Sequence, residues 1–119
     1  MAQPLRNQEE LQKQLVEFQE LQRQLQITSS QRQQMELQVA EIKMAEEVLA
    51  KTDKGIYRVV GPILIESTKS DAVSDLKEKR ELFELRSGTL SKQEQKIRPK
   101  LEELRASLEK TLRENKNPQ

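Results

Sequence analysis

Cysteine and histidine are both absent from this chain of 119 residues. Their absence removes disulfides, thiolate metal sites, the commonest general base and the commonest metal-binding nitrogen. Tryptophan is missing too, and one Tyr and two Phe are the only aromatics, so the bulky fillers of a compact core are scarce. With 34% hydrophobic residues and three Gly, the composition argues against a globule of packed layers and is sufficient for a seam. Phosphate loops and dinucleotide folds need glycines that this chain does not possess. No stretch approaches the roughly 18 apolar residues of a membrane span, and the start lacks the basic and apolar regions of a leader. A soluble, cytosolic protein without a membrane partner is expected. Glutamates such as Glu9 and Glu102 are spread along helical patterns instead of facing one another in a cleft, so no catalytic residue, metal or cofactor is expected. The formal charge is +1, with Lys and Arg interspersed among Glu and Asp. That pattern fits a solvated surface better than the one-sided basic face of a nucleic-acid binder.

What the chain does have is two long segments of heptad periodicity. In the first, Leu11, Phe18, Leu25, Arg32, Val39 and Glu46 fall at a, and Gln14, Leu21, Thr28, Met35, Ile42 and Leu49 at d. In the second, Val73, Arg80, Ser87, Glu94, Leu101 and Leu108 fall at a, and Leu76, Phe83, Leu90, Ile97, Leu104 and Thr111 at d. Folding one segment back on the other brings every a to a d: Leu49 to Val73, Val39 to Phe83, Leu25 to Ile97, Phe18 to Leu104. The expected fold is dominated by α-helix, a long antiparallel coiled-coil hairpin with a two-stranded β-hairpin at its centre. Thr28, Arg32, Ser87 and Glu94 interrupt the seam, a loss of stability that helps fix register. The aliphatic stem of Arg32 allows its charge to snorkel out between Leu90 and Glu94.

The local signals divide the chain into residues 1–54, 55–68 and 69–119. Pro4 suits the first turn of a helix, and Asn7 with Glu10 forms a candidate capping box. Neither Gly nor Pro interrupts the pattern from there to about Lys51, which at 1.5 Å per residue gives an arm of about 65 Å. Gly55 is placed to stop that helix in a left-handed conformation. Ile56–Val60 and Ile63–Glu66 are rich in β-branched residues and are punctuated by Gly61-Pro62. Such a ribbon is marginal alone, and Ile56, Val59, Val60, Ile63, Leu64 and Ile65 exceed what one helical end covers, so strands from other subunits are expected to complete the sheet. Thr68 or Ser70 caps the returning helix, which runs to about Asn115 with Pro99 on its outer face. At the free end, Leu11, Phe18 and Leu108 suit packing of the last turns. Leu5, Leu15 and Leu112 lie outside the best seam positions and suggest an apolar tip that touches other proteins.

The Gln-rich opening helix around Leu11 to Gln34, the hairpin Ile56-Tyr57-Arg58-Val59-Val60-Gly61-Pro62-Ile63-Leu64-Ile65, and the returning Leu76, Lys79, Leu82, Leu85 and Arg86 together resemble prefoldin. The resemblance covers nearly the whole chain and is to the β-type subunit, most like the archaeal form. It implies an ATP-independent chaperone, a hexamer of two α-type and four β-type subunits whose hairpins join in intersubunit β-barrels and whose coiled coils hang as tentacles. It further implies capture of non-native polypeptides and delivery to a group II chaperonin. Substrate contacts at the tentacle tips carry over onto Leu5, Leu11, Leu15, Phe18, Leu108 and Leu112. Assembly contacts carry over onto Ile56, Val59, Val60, Gly61, Pro62, Ile63, Leu64 and Ile65. Pro99 departs from the family pattern of a straight second helix. Two other classes compete: a structural coiled-coil adaptor docking one defined partner through the hairpin, and a nucleic-acid clamp, which would need inward positive charge and strongly salt-dependent binding.

Overall fold

The computed structural model describes the backbone of residues 3–116 and the side chains of residues 8–114. Four elements follow in order: α1 (Gln3–Ala50), β1 (Tyr57–Val60), β2 (Ile63–Glu66) and α2 (Lys69–Lys116). Because α1 already begins at Gln3, Asn7 lies inside the helix and does not cap it, a correction to the sequence reading. Pro4 takes up the first turn, where a missing backbone donor leaves no hydrogen bond unmade. α2 is continuous through Pro99.

The helix ends facing the β-hairpin are closed by local hydrogen bonds. At the end of α1, Lys51 N–H donates to Val48 O at 3.1 Å and Thr52 N–H to Leu49 O at 3.1 Å, tightening the last turn. Thr52 Oγ1 also donates to Val48 O at 2.7 Å. Lys69 Nζ reaches back to Ala50 O at 3.1 Å, placing a cation at the negative end of the α1 dipole. Gly55 turns the chain away with φ +71°. Thr68 is the cap of α2: its Oγ1 accepts from Asp71 N–H at 3.1 Å and its carbonyl from Ala72 N–H at 3.0 Å. Ser70 therefore lies in the first turn and is not the cap.

The chain forms two compact units, one comprising Gln31–Thr89 and the other Met1–Ser30 with Leu90–Gln119. Within each unit the two helical segments run antiparallel. In the first, Ala50 meets Lys69 and Glu46 meets Arg80; in the second, Gln14 meets Ser107 and Thr111. The a and d residues are the covered stripe in both units, all buried or half-buried except Val73. Arg32 is half-buried with its Nη1 2.8 Å from Glu36 Oε1, and Glu94 is buried with Arg98 3.4 Å from its carboxylate. Outside the stripe, ion pairs one turn apart knit the surface. Hydrogen bonding from Arg105 holds the Glu102 carboxyl below its usual range, and Arg23 does the same for Glu20. Arg80 bridges the helices, 2.8 Å from Glu46 and 3.2 Å from Glu84; hydrogen bonds to Glu84 and then Glu46 raise its pKa.

Val73 is the exception to the frame, and its displacement has a cause. Ile56, just after Gly55, enters the end of the seam and packs with Leu49, Ala72 and Leu76. The small Ala72 side chain leaves room for Ile56, so the first turn of α2 presents Ala72 inward and leaves Val73 44% exposed. Leu49→Ala should therefore lose about 2–4 kcal/mol of stability and Val73→Ala less than about 1 kcal/mol. Urea unfolding followed by circular dichroism measures both. Equal losses would restore Val73 to the seam.

Candidate interaction surfaces

β1 and β2 pair antiparallel, Tyr57 with Glu66, Arg58 with Ile65, Val59 with Leu64 and Val60 with Ile63. Ser67 N–H extends the ladder to Ile56 O at 2.8 Å. Gly61 has φ +59° at the first central position of the turn, and Pro62 supplies the negative φ of the second, the order of a II′ turn. Strand alternation then puts Tyr57, Val59 and Leu64 on one face and Arg58, Val60, Ile63 and Ile65 on the other. Both faces are exposed, Val59 to 71% on one and Ile63 to 58% on the other. Ile56 differs from the other apolar residues of this segment: it belongs to the intrachain core with Leu49 and Ala72.

A groove of about 540 Å³ lies beside β1, floored by Val48 and Leu49 of α1 and Ala72 and Leu76 of α2. The consecutive residues Ile56, Tyr57, Arg58 and Val59 all line it, and no β2 residue does. Neighbours along a strand point to opposite faces, so a space that meets all four lies at the strand's edge. The unpaired edge of β1 thus opens onto an apolar trough, the arrangement that accepts an added strand. Sequence reasoning missed Val48 as a groove residue. Its signal was an apolar residue at an outward heptad position, shared by the exposed Leu37 and Met44.

In the other unit, Leu11 and Phe18 are half-buried and Leu108 is 6% exposed, which makes them chiefly seam residues. Leu15 and Leu112 are 40% and 43% exposed. Each directly follows a member of a polar cluster between the helices: Gln14 Nε2 donates to Ser107 Oγ at 3.0 Å, and Thr111 Oγ1 donates to Gln14 Oε1 at 3.3 Å. Leu15 and Leu112 both take heptad position e, so in an antiparallel pair they flank the same side of the seam. The side chain of Leu5 lies outside the described residues. Among the described residues no group of three or more His, Cys, Asp or Glu is placed to hold a metal ion, and no helix is long and apolar enough to cross a membrane.

The chain is similar to known proteins along most of its length. The family described as prefoldin subunit matches residues 12–115. The prefoldin β subunit of Thermococcus onnurineus is 38% identical over 77% of this chain and 81% of its own length. That of Methanosarcina acetivorans is 33% identical over 87% of this chain and 90% of its own. Among solved structures, the prefoldin β subunit from Thermococcus strain KS-1 superposes with a TM-score of 0.79 at 36% identity, covering 87% of this chain and 93% of that one. The β2 subunit from the same strain gives 0.69 at 31% identity, covering 75% and 97%.

The hairpin turn offers a clean backbone test. An added Cβ at Gly61 meets nothing within 4 Å, so Gly61→Ala should destabilise the turn through its positive φ alone, by about 1–2 kcal/mol. Amide hydrogen exchange at Val60 and Ile63 should accelerate while exchange in the helices holds. Unchanged exchange at both strands would remove the requirement for glycine.

Proposed function

The chain belongs to the prefoldin family as a β-type subunit of the archaeal kind, and we propose that its β-hairpin builds the oligomer while the distal leucines hold client protein. Prefoldin is a non-catalytic, ATP-independent, cytoplasmic chaperone that delivers non-native proteins to group II chaperonins. The observation that carries the reading is a two-stranded ribbon with large apolar side chains exposed on both faces and an apolar groove along one edge. Alone it leaves Val59, Val60, Ile63, Leu64 and Ile65 in water; strands from an α-type subunit and further β-type copies would close it into a barrel. A hexamer of two α-type and four β-type subunits accords with a chain that brings one hairpin.

Client holding falls to the other unit. Leu15 and Leu112 contribute exposed apolar area, with Leu11, Phe18 and Leu108 packed beneath or beside them. The sequence places Leu5 at the same end. Each contact is weak, and several subunits acting together gain affinity through effective concentration. Weak, sequence-tolerant contacts also permit release to a competing chaperonin surface.

Two outcomes follow. Val59→Asp with Ile63→Asp should abolish the hetero-oligomer by native mass spectrometry and leave most helical circular dichroism intact; a full-sized complex would sink the hairpin role. Leu15→Ser with Leu112→Ser, in a complex shown to be intact, should lower suppression of aggregation of a guanidinium-unfolded client, whereas Lys13→Gln with Arg113→Gln should matter less at physiological salt. Loss only in the charge variant would move client holding to an electrostatic cavity.

A further inference from the structure

Beside Leu15, the distal segment of α1 carries a track without charge. Its b and e positions are Gln12, Leu15, Gln19, Gln22, Gln26 and Ser29, exposed except for the half-buried Ser29. One third of the chain is charged (34%), yet no charged residue takes a b or e position from Gln12 to Ser29: Lys13, Glu17 and Glu20 fall on the opposite flank, at c and g, and Arg23, which borders the track at f, is paired with Glu20 at 2.7 Å. The amides of Gln12, Gln19, Gln22 and Gln26 make no side-chain hydrogen bond among the described residues, in contrast to Gln14, which is spent on Ser107 and Thr111. Four free primary amides, each with donors and an acceptor, therefore lead away from the exposed Leu15 and its e-position counterpart Leu112.

We propose that this track binds the backbone of an extended, uncharged segment of non-native polypeptide, the glutamine amides pairing with peptide N–H and C=O groups while Leu15 and Leu112 take an apolar side chain. The occupant follows from the chemistry. The track itself carries no charge, and the arginines on its side of the seam, Arg98 and Arg105 at e of α2, are already paired with Glu94 and with Glu102 and Glu109, while an apolar helix finds too few apolar contacts. An unfolded chain offers unpaired donors and acceptors in every sequence, which amides match without selecting among them. Each exposed hydrogen bond contributes little, so the track works through several at once. It runs the client lengthwise along α1 instead of holding it only at the helix ends. This rests on the client-holding role proposed above and specifies what that surface recognises.

The test uses the full chain assembled with the α-type subunit of the same genome and a fluorescent, uncharged peptide of Thr, Val, Ser and Leu, read by anisotropy. Gln12→Glu, Gln19→Glu and Gln26→Glu together should weaken binding roughly five- to tenfold, and the three corresponding Lys substitutions should weaken it similarly. All three residue types are good helix formers, so helicity is preserved. Gln31→Glu, Gln34→Glu and Gln93→Glu, which change net charge equally at c and g positions away from the track, should leave affinity within about twofold of the parent. A backbone N-methylated peptide should bind the parent weakly and not distinguish parent from track variants. Opposite effects of Glu and Lys, an equal loss in the off-track variant, or unchanged binding by track variants while Leu15→Ser with Leu112→Ser loses it would each overturn the track alone. A parent complex that neither binds the peptide nor suppresses client aggregation would overturn the client-holding role and the track with it.

Discussion

The supply of apolar side chains suffices for one narrow seam, and the rest of the molecule is arranged around that limit. Each helix covers its a and d residues against the other and has little left with which to cover anything else. The single hairpin-proximal residue that the seam absorbs is Ile56, admitted because Ala72 is small. Val59, Val60, Ile63, Leu64 and Ile65 remain outside. At roughly 25 cal/mol per Å² of apolar surface, leaving five such side chains in water gives the ribbon a strong reason to associate. The proposed assembly through the ribbon is thus the complement of a fold that runs out of cover.

The transition from coil to ribbon depends on polar and backbone chemistry more than on burial. Thr52 and Thr68 satisfy helix-end groups, Lys69 neutralises the end of α1, and Gly55 and Gly61 take the positive φ values that other residues adopt at a cost. These residues hold the ribbon's position without adding to its core. Its faces and the β1 edge consequently stay available to incoming strands. In the other unit the same economy appears in different form: Gln14, Ser107 and Thr111 satisfy one another between the helices, and Leu15 and Leu112 are left at the flank. Polar residues in a seam give up hydrophobic stabilisation and gain a defined register.

A holding chaperone needs surfaces that bind weakly and without sequence preference, and the proposed client surface around Leu15 and Leu112 is of that kind. The described residues show apolar side chains at flanking heptad positions and neutral amides beside them, set on helices laced with ion pairs. No energy-consuming step is required for such a surface to let go, because a competing surface of the same kind suffices.

The heptad frame was legible because side-chain periodicity is a local property. Phe18, Leu25, Ile42, Leu49, Leu90 and Leu104 all fall on the covered stripe that their spacing predicts, and the ribbon follows from β-branched residues around Gly61-Pro62. Asn7 misled because a capping pattern does not reveal that Pro4 already starts the helix. Val73 misled because its spacing is right, and only the arrival of Ile56 from the intervening segment turns it outward. The choice of Thr68 over Ser70 likewise needed the hydrogen bond to Asp71 N–H. The sequence by itself determined the element types, the seam and the surplus of apolar residues in the ribbon, since these depend on composition and periodicity along one segment. Which surplus residues stay exposed, and that the edge of β1 opens onto a groove, were decided by tertiary structure alone, because each depends on what a distant segment places alongside.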